Sequence, residues 1–194
     1  MTSLRSTLAP AEIEDERRLH LTQGQFKVSG DADVVLMTTL GSCVAACLHD
    51  PVARVGGMNH FLLPEGSGPH SAVGSEAMRY GAYAMEVLVN ALLRAGGRRD
   101  RLQGKLFGGA RLSGRLADIG GDNVAFAETF LRREGISYLG GSVRGQSARR
   151  IQYWPECGRA RQLFLERSVD VMVELERGRT LAHRESGAVD WFED

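Results

Sequence analysis

Residues 38–65 read Thr-Thr-Leu-Gly-Ser-Cys-Val-Ala-Ala-Cys-Leu-His-Asp-Pro-Val-Ala-Arg-Val-Gly-Gly-Met-Asn-His-Phe-Leu-Leu-Pro-Glu. Two short apolar runs, residues 44–48 and 57–63, predict a pair of β-strands. Asp50 and Pro51 between them are typical of a turn, because proline presets the backbone of the second turn position. The stretch therefore predicts a β-hairpin around which the rest of the chain is organised.

The register of this hairpin follows from the position of the turn. With Pro51 and Val52 at the tip, the pairing places Cys43 opposite His60. Directly opposed side chains have Cβ atoms about 4.5–5.5 Å apart, which is the proximity that a nucleophilic cysteine and its base require. A longer loop would shift the register, but an even shift would keep both side chains on one face.

The composition is that of an ordinary soluble globular protein of 194 residues, with 43% hydrophobic and 25% charged residues. The length predicts one domain, or one domain with tails. The formal net charge is zero, which argues against partners such as nucleic acid or acidic lipid. Three cysteines, with no signal-like segment and no apolar run near 18 residues, predict a cytoplasmic protein without membrane insertion.

Strands outnumber helices in the rest of the chain. The predicted strands cover residues 21–29, 34–38, 102–107 and 136–143, followed by a hairpin of residues 149–154 and 161–166. Two amphipathic helices interrupt them, one from near Ser75 to Gly96 and Gly97, and one over residues 124–133. This pattern predicts an α+β, or layered α/β, fold.

The two ends of the chain differ from its centre. Residues 1–20 are polar and mixed in charge, and we assign them to an N-terminal tail. Residues 21–167 form the predicted domain, and residues 168–194 a C-terminal extension with a predicted helix at 169–181. The terminal residues 190–194 combine aromatic and acidic side chains; a disordered end is the default interpretation, and a short docking motif is the alternative.

Cys43 is the best candidate for a nucleophile, because a thiolate attacks carbonyl carbon well once its pKa is lowered. Gly41 and Ser42 form a tight turn before it, which can present backbone N–H groups to a developing oxyanion. His60 would act as base and acid. The alternative is that Cys43 is a small buried hydrophobe and His60 a core histidine with satisfied hydrogen bonds.

A third group would orient the imidazole, as in other nucleophile–histidine arrangements. Thr38 and Thr39 are the nearest hydroxyl residues, and either would serve by its hydroxyl or its carbonyl oxygen. Cys47 shares the strand parity of Cys43 and most simply packs in the core. A metal site of Cys43, Cys47 and His60 would lack a fourth ligand, so we expect no metal.

Gly108, Gly109 and Ala110 follow a predicted strand. They are not a phosphate-binding loop, because the Gly-Lys-Ser/Thr ending is missing. One interpretation is a tight turn, in which small residues allow close backbone approach. The functional interpretation is that Gly108 and Gly109 form a wall of the catalytic cleft.

Several motifs together resemble the chemoreceptor glutamine deamidase family CheD. The resemblance covers about residues 20–167, and its most specific part is the Cys-to-His block of residues 40–64. Further matches follow in order: residues 21–29 resemble the family's opening strand, residues 105–110 its second glycine motif, residues 119–124 the start of its second helix, and Gly145 with residues 149–151 its closing strand motif.

The resemblance implies an enzyme that hydrolyses side-chain amides of selected glutamines in methyl-accepting chemotaxis proteins, giving glutamate and ammonia. Carried over, Cys43 is the nucleophile that forms a thioester, His60 is the general base and acid, and the third member is Thr38 in preference to Thr39. It also implies packed β-sheets with flanking helices, similar to the cytotoxic necrotizing factor deamidases, and no cofactor.

The resemblance implies two protein partners: the cytoplasmic domain of a chemotaxis receptor as substrate, and a CheC-type phosphatase of the response regulator CheY. Two other functions stay open. The chain is then either a non-catalytic module that binds chemotaxis partners, or a Cys–His amidase or protease with another substrate.

Overall fold

The computed structural model describes residues 16–63, 74–112, 118–165 and 189–192. They form ten strands and two long helices: β1 Arg17–His20, β2 Phe26–Ser29, β3 Val34–Leu40, β4 Val44–Asp50, β5 Val55–Asn59, α1 Gly74–Arg94, β6 Gln103–Gly108, α2 Ile119–Arg133, β7 Ser137–Val143, β8 Arg149–Tyr153, β9 Ala160–Phe164 and β10 Val189–Phe192.

The strands form two five-stranded mixed sheets. Sheet A has the order β1-β3-β8-β9-β10, and sheet B has the order β2-β5-β4-β6-β7. The pairs β1–β3 and β6–β7 are parallel, and the other pairs are antiparallel. Consecutive strands β3 and β4 belong to different sheets, so the short segment between them crosses from one sheet to the other.

The centre of sheet B is buried on both faces, which explains the continuous apolar run of β4. Val44, Ala46 and Leu48 pack in one core with α1 and α2. The alternate residues Ala45 and Cys47 pack in a second core against sheet A. The fold therefore has three layers, helices on sheet B on sheet A, and the predicted layered architecture of packed sheets and flanking helices is confirmed.

The central hairpin is present, but the predicted register is wrong by two residues. The turn comprises four residues, 51–54, so Asp50 pairs with Val55 and Leu48 with Gly57. Arg54 adopts a left-handed conformation, with φ of 51°, which closes this longer turn. Cys43 is thus not directly opposite His60. The shift is even, so the two residues still share one face of the hairpin.

Asp50 fixes the turn end of this hairpin and is fully buried. Its Oδ1 accepts hydrogen bonds from the backbone N–H groups of Val52 (2.9 Å) and Ala53 (3.0 Å). Its Oδ2 accepts from the N–H of Arg98 (2.8 Å) and forms an ion pair with Arg101 (2.7 Å). Burial alone would raise the pKa of Asp50, but these donors outweigh it and hold the pKa well below its usual range.

The strand predicted over residues 21–29 is shorter than expected. Only β2 is a strand there, because Gln23 and Gly24 form a turn in which Gly24 has a φ of +84°. That backbone conformation suits glycine and interrupts a strand. The turn brings residues 21–25 alongside Thr38 and His60, at the candidate site.

The chain ends contain two strands outside the predicted domain of residues 21–167. β1 occupies the last residues of the segment assigned to the N-terminal tail, and β10 lies in the C-terminal extension, where it pairs with β9. The interpretation of the terminal residues as a disordered end is therefore wrong for residues 190–192. The predicted helix at 169–181 lies outside the described residues, and the domain boundaries stay predictions.

Candidate active site

Three elements bring the predicted site residues to one end of the sandwich. Thr38 lies on β3 of sheet A, His60 directly follows β5 of sheet B, and Cys43 lies in the crossing segment between β3 and β4. Thr38 and His60 are buried, whereas Cys43 is half-buried. The hairpin alone supplies only Cys43 and His60; the third side chain comes from the opposing sheet.

Cys43 and His60 are diagonal neighbours. A bridge between Val44 and Phe61 extends the hairpin pairing, with two backbone hydrogen bonds of 3.0 and 2.9 Å. Ala45 is therefore opposite His60, and Cys43 is the next residue on the same face. Diagonal neighbours in such a pair are about 7–8 Å apart, still within reach of long side chains. The small methyl group of Ala45 leaves the imidazole room on this face.

Thr38 determines which nitrogen of His60 carries a proton. The Thr38 hydroxyl lies 2.8 Å from His60 Nδ1 and 2.8 Å from the carbonyl oxygen of Leu21. A hydroxyl has a single proton, and a carbonyl oxygen only accepts, so the Thr38 proton is donated to Leu21. The hydroxyl oxygen must then accept from Nδ1–H. Nε2 is consequently the unprotonated nitrogen, with a lone pair available for base chemistry.

Thr39 has different surroundings. It is the next residue on β3, so its side chain points to the opposite face of the sheet. Among the described residues, its hydroxyl has no hydrogen-bond partner. Of the two threonines, Thr38 is the one in contact with His60.

The second ring nitrogen of His60 is shielded from solvent. Its Nε2 is buried and makes no hydrogen bond within the described part of the chain. Burial lowers the pKa of His60 to about 4, so the imidazole is neutral near neutral pH. The backbone on both sides is anchored by the β1–β2 turn, because His60 N–H donates to Gln25 (3.0 Å) and Gly24 N–H donates to His60 (2.7 Å).

Cys43 is a protonated thiol in this arrangement. Burial raises its pKa to about 11, and a contact from its own backbone N–H opposes the rise. The Sγ–H group donates to Oε1 of Gln23 over 3.8 Å, and no hydrogen bond to His60 is formed among the described residues. The resting pair is therefore thiol and imidazole, not thiolate and imidazolium.

Gly108 and Gly109 pack directly behind residues 41–43. Gly109 N–H donates to the carbonyl of Cys43 (2.7 Å), and Ala110 N–H donates to Gly41 (2.8 Å). A Cβ on Gly108 would lie 2.2 Å from the Cys43 carbonyl oxygen, and both glycines have positive φ. The absent side chains let the end of β6 hold the Cys43 backbone, with Ser42 left in the turn beside it.

Comparison with known proteins identifies the family. A family model described as CheD chemotactic sensory transduction matches residues 62–162. A relative from Acidiphilium cryptum is 54% identical over 187 residues, which cover 95% of this chain and 98% of the relative. The chain belongs to the CheD family. The resemblance found in the sequence is thus confirmed.

Other CheD relatives match most of the chain. One from Rhizobium meliloti is 56% identical, covering 77% of this chain and 81% of its own length. One from Caulobacter vibrioides is 57% identical, covering 75% and 76%. These relatives are named probable chemoreceptor glutamine deamidase CheD. A crystal structure of a Neisseria meningitidis protein aligns with a TM-score of 0.43 and 13% identity, over 67% of this chain and 64% of that one.

Asn123 of this CheD chain contacts the candidate site, and the sequence did not predict it there. Its Nδ2 donates to the carbonyl oxygens of Ser42 (3.3 Å) and Ile119 (2.7 Å), and its Oδ1 accepts from Leu63 N–H (2.7 Å). This fully buried amide ties Ser42, next to Cys43, to the chain that follows His60. The signal in the sequence was an amide side chain on the apolar face of a predicted helix. Burying such a side chain is unfavourable unless it is hydrogen-bonded, so partners were to be expected.

Cys47 is a core residue in this CheD chain, as the sequence predicted. It is buried in the core between the sheets, and burial raises its pKa strongly. Cys157 is exposed. Within residues that the structure describes, no three His, Cys, Asp or Glu side chains are grouped to hold a metal ion.

Proposed function

We propose that the chain is a protein-glutamine deamidase that acts on the cytoplasmic domain of methyl-accepting chemotaxis receptors. Its CheD relatives carry the name of this activity. The observation that carries the proposal is the hydrogen bond of 2.8 Å between Thr38 and His60 Nδ1. It leaves the lone pair of Nε2 free on the hairpin face that also bears Cys43, as a general base for a thiol requires.

The first half of the reaction forms a thioester. The Sγ–H proton moves to His60 Nε2, and the thiolate attacks the carbon of the substrate carboxamide. The carbonyl electrons move to oxygen and give a tetrahedral oxyanion. When the carbon–nitrogen bond breaks, the imidazolium returns its proton to the leaving nitrogen, which departs as ammonia. The glutamine side chain is then joined to Sγ.

The second half releases glutamate. Neutral His60 removes a proton from a water molecule, and the resulting hydroxide attacks the thioester carbon. The carbon–sulfur bond breaks, and the sulfur recovers a proton from the imidazolium. The product carboxylic acid ionises and transfers its proton to ammonia or solvent. Water and the amide are the only reactants, so the reaction requires no cofactor.

Thr38 positions the His60 imidazole, and residues 41–43 position the oxyanion. Thr38 keeps the proton on Nδ1 through both halves and stabilises the imidazolium that forms between them. The backbone N–H of Cys43, at the end of the turn formed by Gly41 and Ser42, is the proposed backbone donor to the oxyanion. Gly108 and Gly109 support this turn from behind and allow substrate to approach from the open side.

The substrate determines location and partners. A receptor cytoplasmic domain as substrate places the enzyme in the cytoplasm, and a CheC-type phosphatase is the further partner that we propose. In the structure, no described helix is long and apolar enough to cross a membrane.

A non-catalytic module that binds chemotaxis partners is the second candidate. It is favoured by the resting state of Cys43, whose thiol is protonated and forms no hydrogen bond with His60 among the described residues. A vestigial pair would look similar. The two candidates differ in one outcome, which is whether a receptor glutamine becomes glutamate.

Peptide mass spectrometry distinguishes them. A receptor cytoplasmic fragment is incubated with the wild-type protein, with Cys43→Ala and with Cys157→Ala, a control that removes an exposed thiol. We expect a gain of about one mass unit at specific glutamines with the wild type and with Cys157→Ala only, because both retain the nucleophile. Deamidation by a folded Cys43→Ala variant would refute the Cys–His mechanism, and its absence with wild type would favour the binding module.

A further inference from the structure

Gln23 is a polar side chain in contact with the nucleophile. It lies in the turn between β1 and β2, and its Oε1 is the acceptor of the Cys43 thiol at 3.8 Å. Neither the hairpin nor the triad of Thr38, Cys43 and His60 predicts this contact. It places a carboxamide beside the sulfur that, in the proposed function, attacks a carboxamide.

The backbone of this turn is held in place. Gln25 closes it with two hydrogen bonds to Thr22, one from Gln25 N–H (3.1 Å) and one from Thr22 N–H to the Gln25 side chain (2.9 Å). The two residues that follow Gln23, Gly24 and Gln25, are also hydrogen-bonded to the backbone of His60. The backbone position of Gln23 is thus coupled to that of His60, and its side chain is exposed.

The charge on sulfur determines which end of the Gln23 amide faces it. The protonated thiol is a donor and therefore selects Oε1, as observed. Once the proton has moved to His60, a thiolate or an oxyanion replaces the donor, and an oxygen atom facing it would be repelled. Rotation about the last side-chain bond exchanges Oε1 for the Nε2 amide, which is a donor.

We propose that Gln23 is a catalytic residue whose Nε2 amide donates a hydrogen bond to the oxyanion of the tetrahedral intermediate. The oxyanion is attached to the carbon that is bonded to Cys43 Sγ, so a donor that already contacts this sulfur is within range of it. Gln23 then completes an oxyanion hole in which the Cys43 backbone N–H is the other donor. This inference rests on the proposed deamidase function.

A resting contact with a substrate-like group has a second explanation, which is that Gln23 blocks the site. The two roles predict opposite effects of removing the side chain. A blocking residue would release the thiol when it is truncated, and turnover would rise. An oxyanion donor would lower turnover without changing the reactivity of the thiol toward reagents that form no oxyanion.

The test combines turnover with alkylation of Cys43 in a Cys157→Ala background, where no other exposed thiol is described. Gln23→Ala removes the amide, and Gln23→Glu keeps the shape but replaces the donor by a carboxylate. Gln146→Glu places the same charge on an exposed loop glutamine and is the matched control. Thermal unfolding verifies that each variant is folded.

For Gln23→Ala we expect kcat to fall about 100-fold with little change in KM, as for loss of one oxyanion-hole donor. The rate of alkylation by iodoacetamide should stay at the wild-type value, because this reaction forms no oxyanion. Gln23→Glu should lower both rates, because a neighbouring carboxylate raises the pKa of the thiol. Gln146→Glu should change neither.

Three outcomes would overturn the proposal. Wild-type kcat in Gln23→Ala would show that Gln23 gives no catalytic assistance, and increases in both kcat and alkylation would show that it blocks the site. Either leaves the deamidase function intact. A wild-type protein that produces no glutamate from receptor, while Cys43 is still alkylated, would overturn the deamidase function and this inference with it.

Discussion

The two ends of the β4–β5 hairpin differ in how completely their polar groups are paired. At the turn end, both oxygens of buried Asp50 accept hydrogen bonds, from two backbone groups of the turn and from Arg98 and Arg101. At the other end, His60 Nε2 is buried without a partner among the described residues, and the Cys43 thiol has one long contact.

This difference separates stability from chemistry. A buried polar group with all its hydrogen bonds contributes to a unique folded state, whereas an unpaired one is costly to the fold and is available to react. We therefore expect substitutions at the Asp50 end to change the free energy of unfolding, and substitutions at the Cys43 end to change the rate of deamidation.

The largest expected effect is on turnover in His60→Asn. It removes the proposed general base, so we expect kcat to fall by about 10⁴-fold, the upper range for general acid–base catalysis. His49→Asn is the matched control, because His49 is a buried histidine on the same hairpin near its turn end, in contact with the carbonyl of Glu156. Steady-state ammonia release should fall only in His60→Asn, and equal losses in both variants would contradict the separation.

The next largest effect is on stability in Asp50→Asn. The change removes the charge facing Arg101 and turns one acceptor into a donor, so we expect a loss of about 3 kcal/mol, as for breaking a buried ion pair. Urea unfolding measures the loss, and kcat of the folded variant should stay at the wild-type value.

This stability difference should depend on pH. Because the pKa of Asp50 is lowered in the folded protein, its contribution is complete above the unfolded pKa and is lost as pH falls below about 4. Urea midpoints of the wild type and of Asp50→Asn should therefore converge in acid. A difference that stays constant down to about pH 2 would contradict the ionic origin.

A smaller effect on turnover is expected in Thr38→Val, which keeps the side-chain shape but leaves His60 Nδ1 and the Leu21 carbonyl without their partner. The imidazole loses its fixed tautomer, so kcat should fall about 10- to 100-fold. Thr38→Ser should restore most of the rate, and Thr39→Val should leave it unchanged. A rate loss in Thr39→Val equal to that in Thr38→Val would reverse the assignment.

The smallest expected effect is that of mild acid on the wild-type rate. In the proposed mechanism the Cys43 thiol gives its proton to a neutral His60. Burial lowers the pKa of His60 to about 4, so the imidazole stays neutral in mild acid. Thus kcat/KM should stay nearly constant from about pH 7.5 to about pH 5.5, where an ordinary histidine would become protonated. A pH–rate profile with an inflection near 6.5 would indicate that His60 titrates as an ordinary, solvent-exposed histidine, and would contradict this prediction.

Much of the fold could be predicted from local patterns. Short apolar runs bounded by turn residues identified the strands, and the glycines that follow each helix identified where it ends. The hairpin register was missed because Pro51 and Asp50 indicate a turn without specifying its length. The strand over residues 21–29 was overextended, because its apolar content concealed the interruption at Gly24.

The site was predicted only as far as it depends on residues close in sequence. Cys43, His60 and Thr38 lie within one short stretch, and their residue types indicate a nucleophile, a base and an orienting hydroxyl. Asn123 and Gln23 reach the same site from a helix and from a turn of a neighbouring strand. Their contacts depend on how the sheets and helices pack, and this packing cannot be predicted from residues close in sequence.

The C-terminal strand β10 gives the molecule a natural optical reporter. The indole of Trp191 stacks on that of Trp154, with ring centroids 5.7 Å apart and an interplanar angle of 28°. The chain has two tryptophans in total, so its entire indole emission arises from this one stack. Exciton coupling of the two indoles in far-ultraviolet circular dichroism and intrinsic fluorescence therefore report docking of the last strand directly, without an attached label.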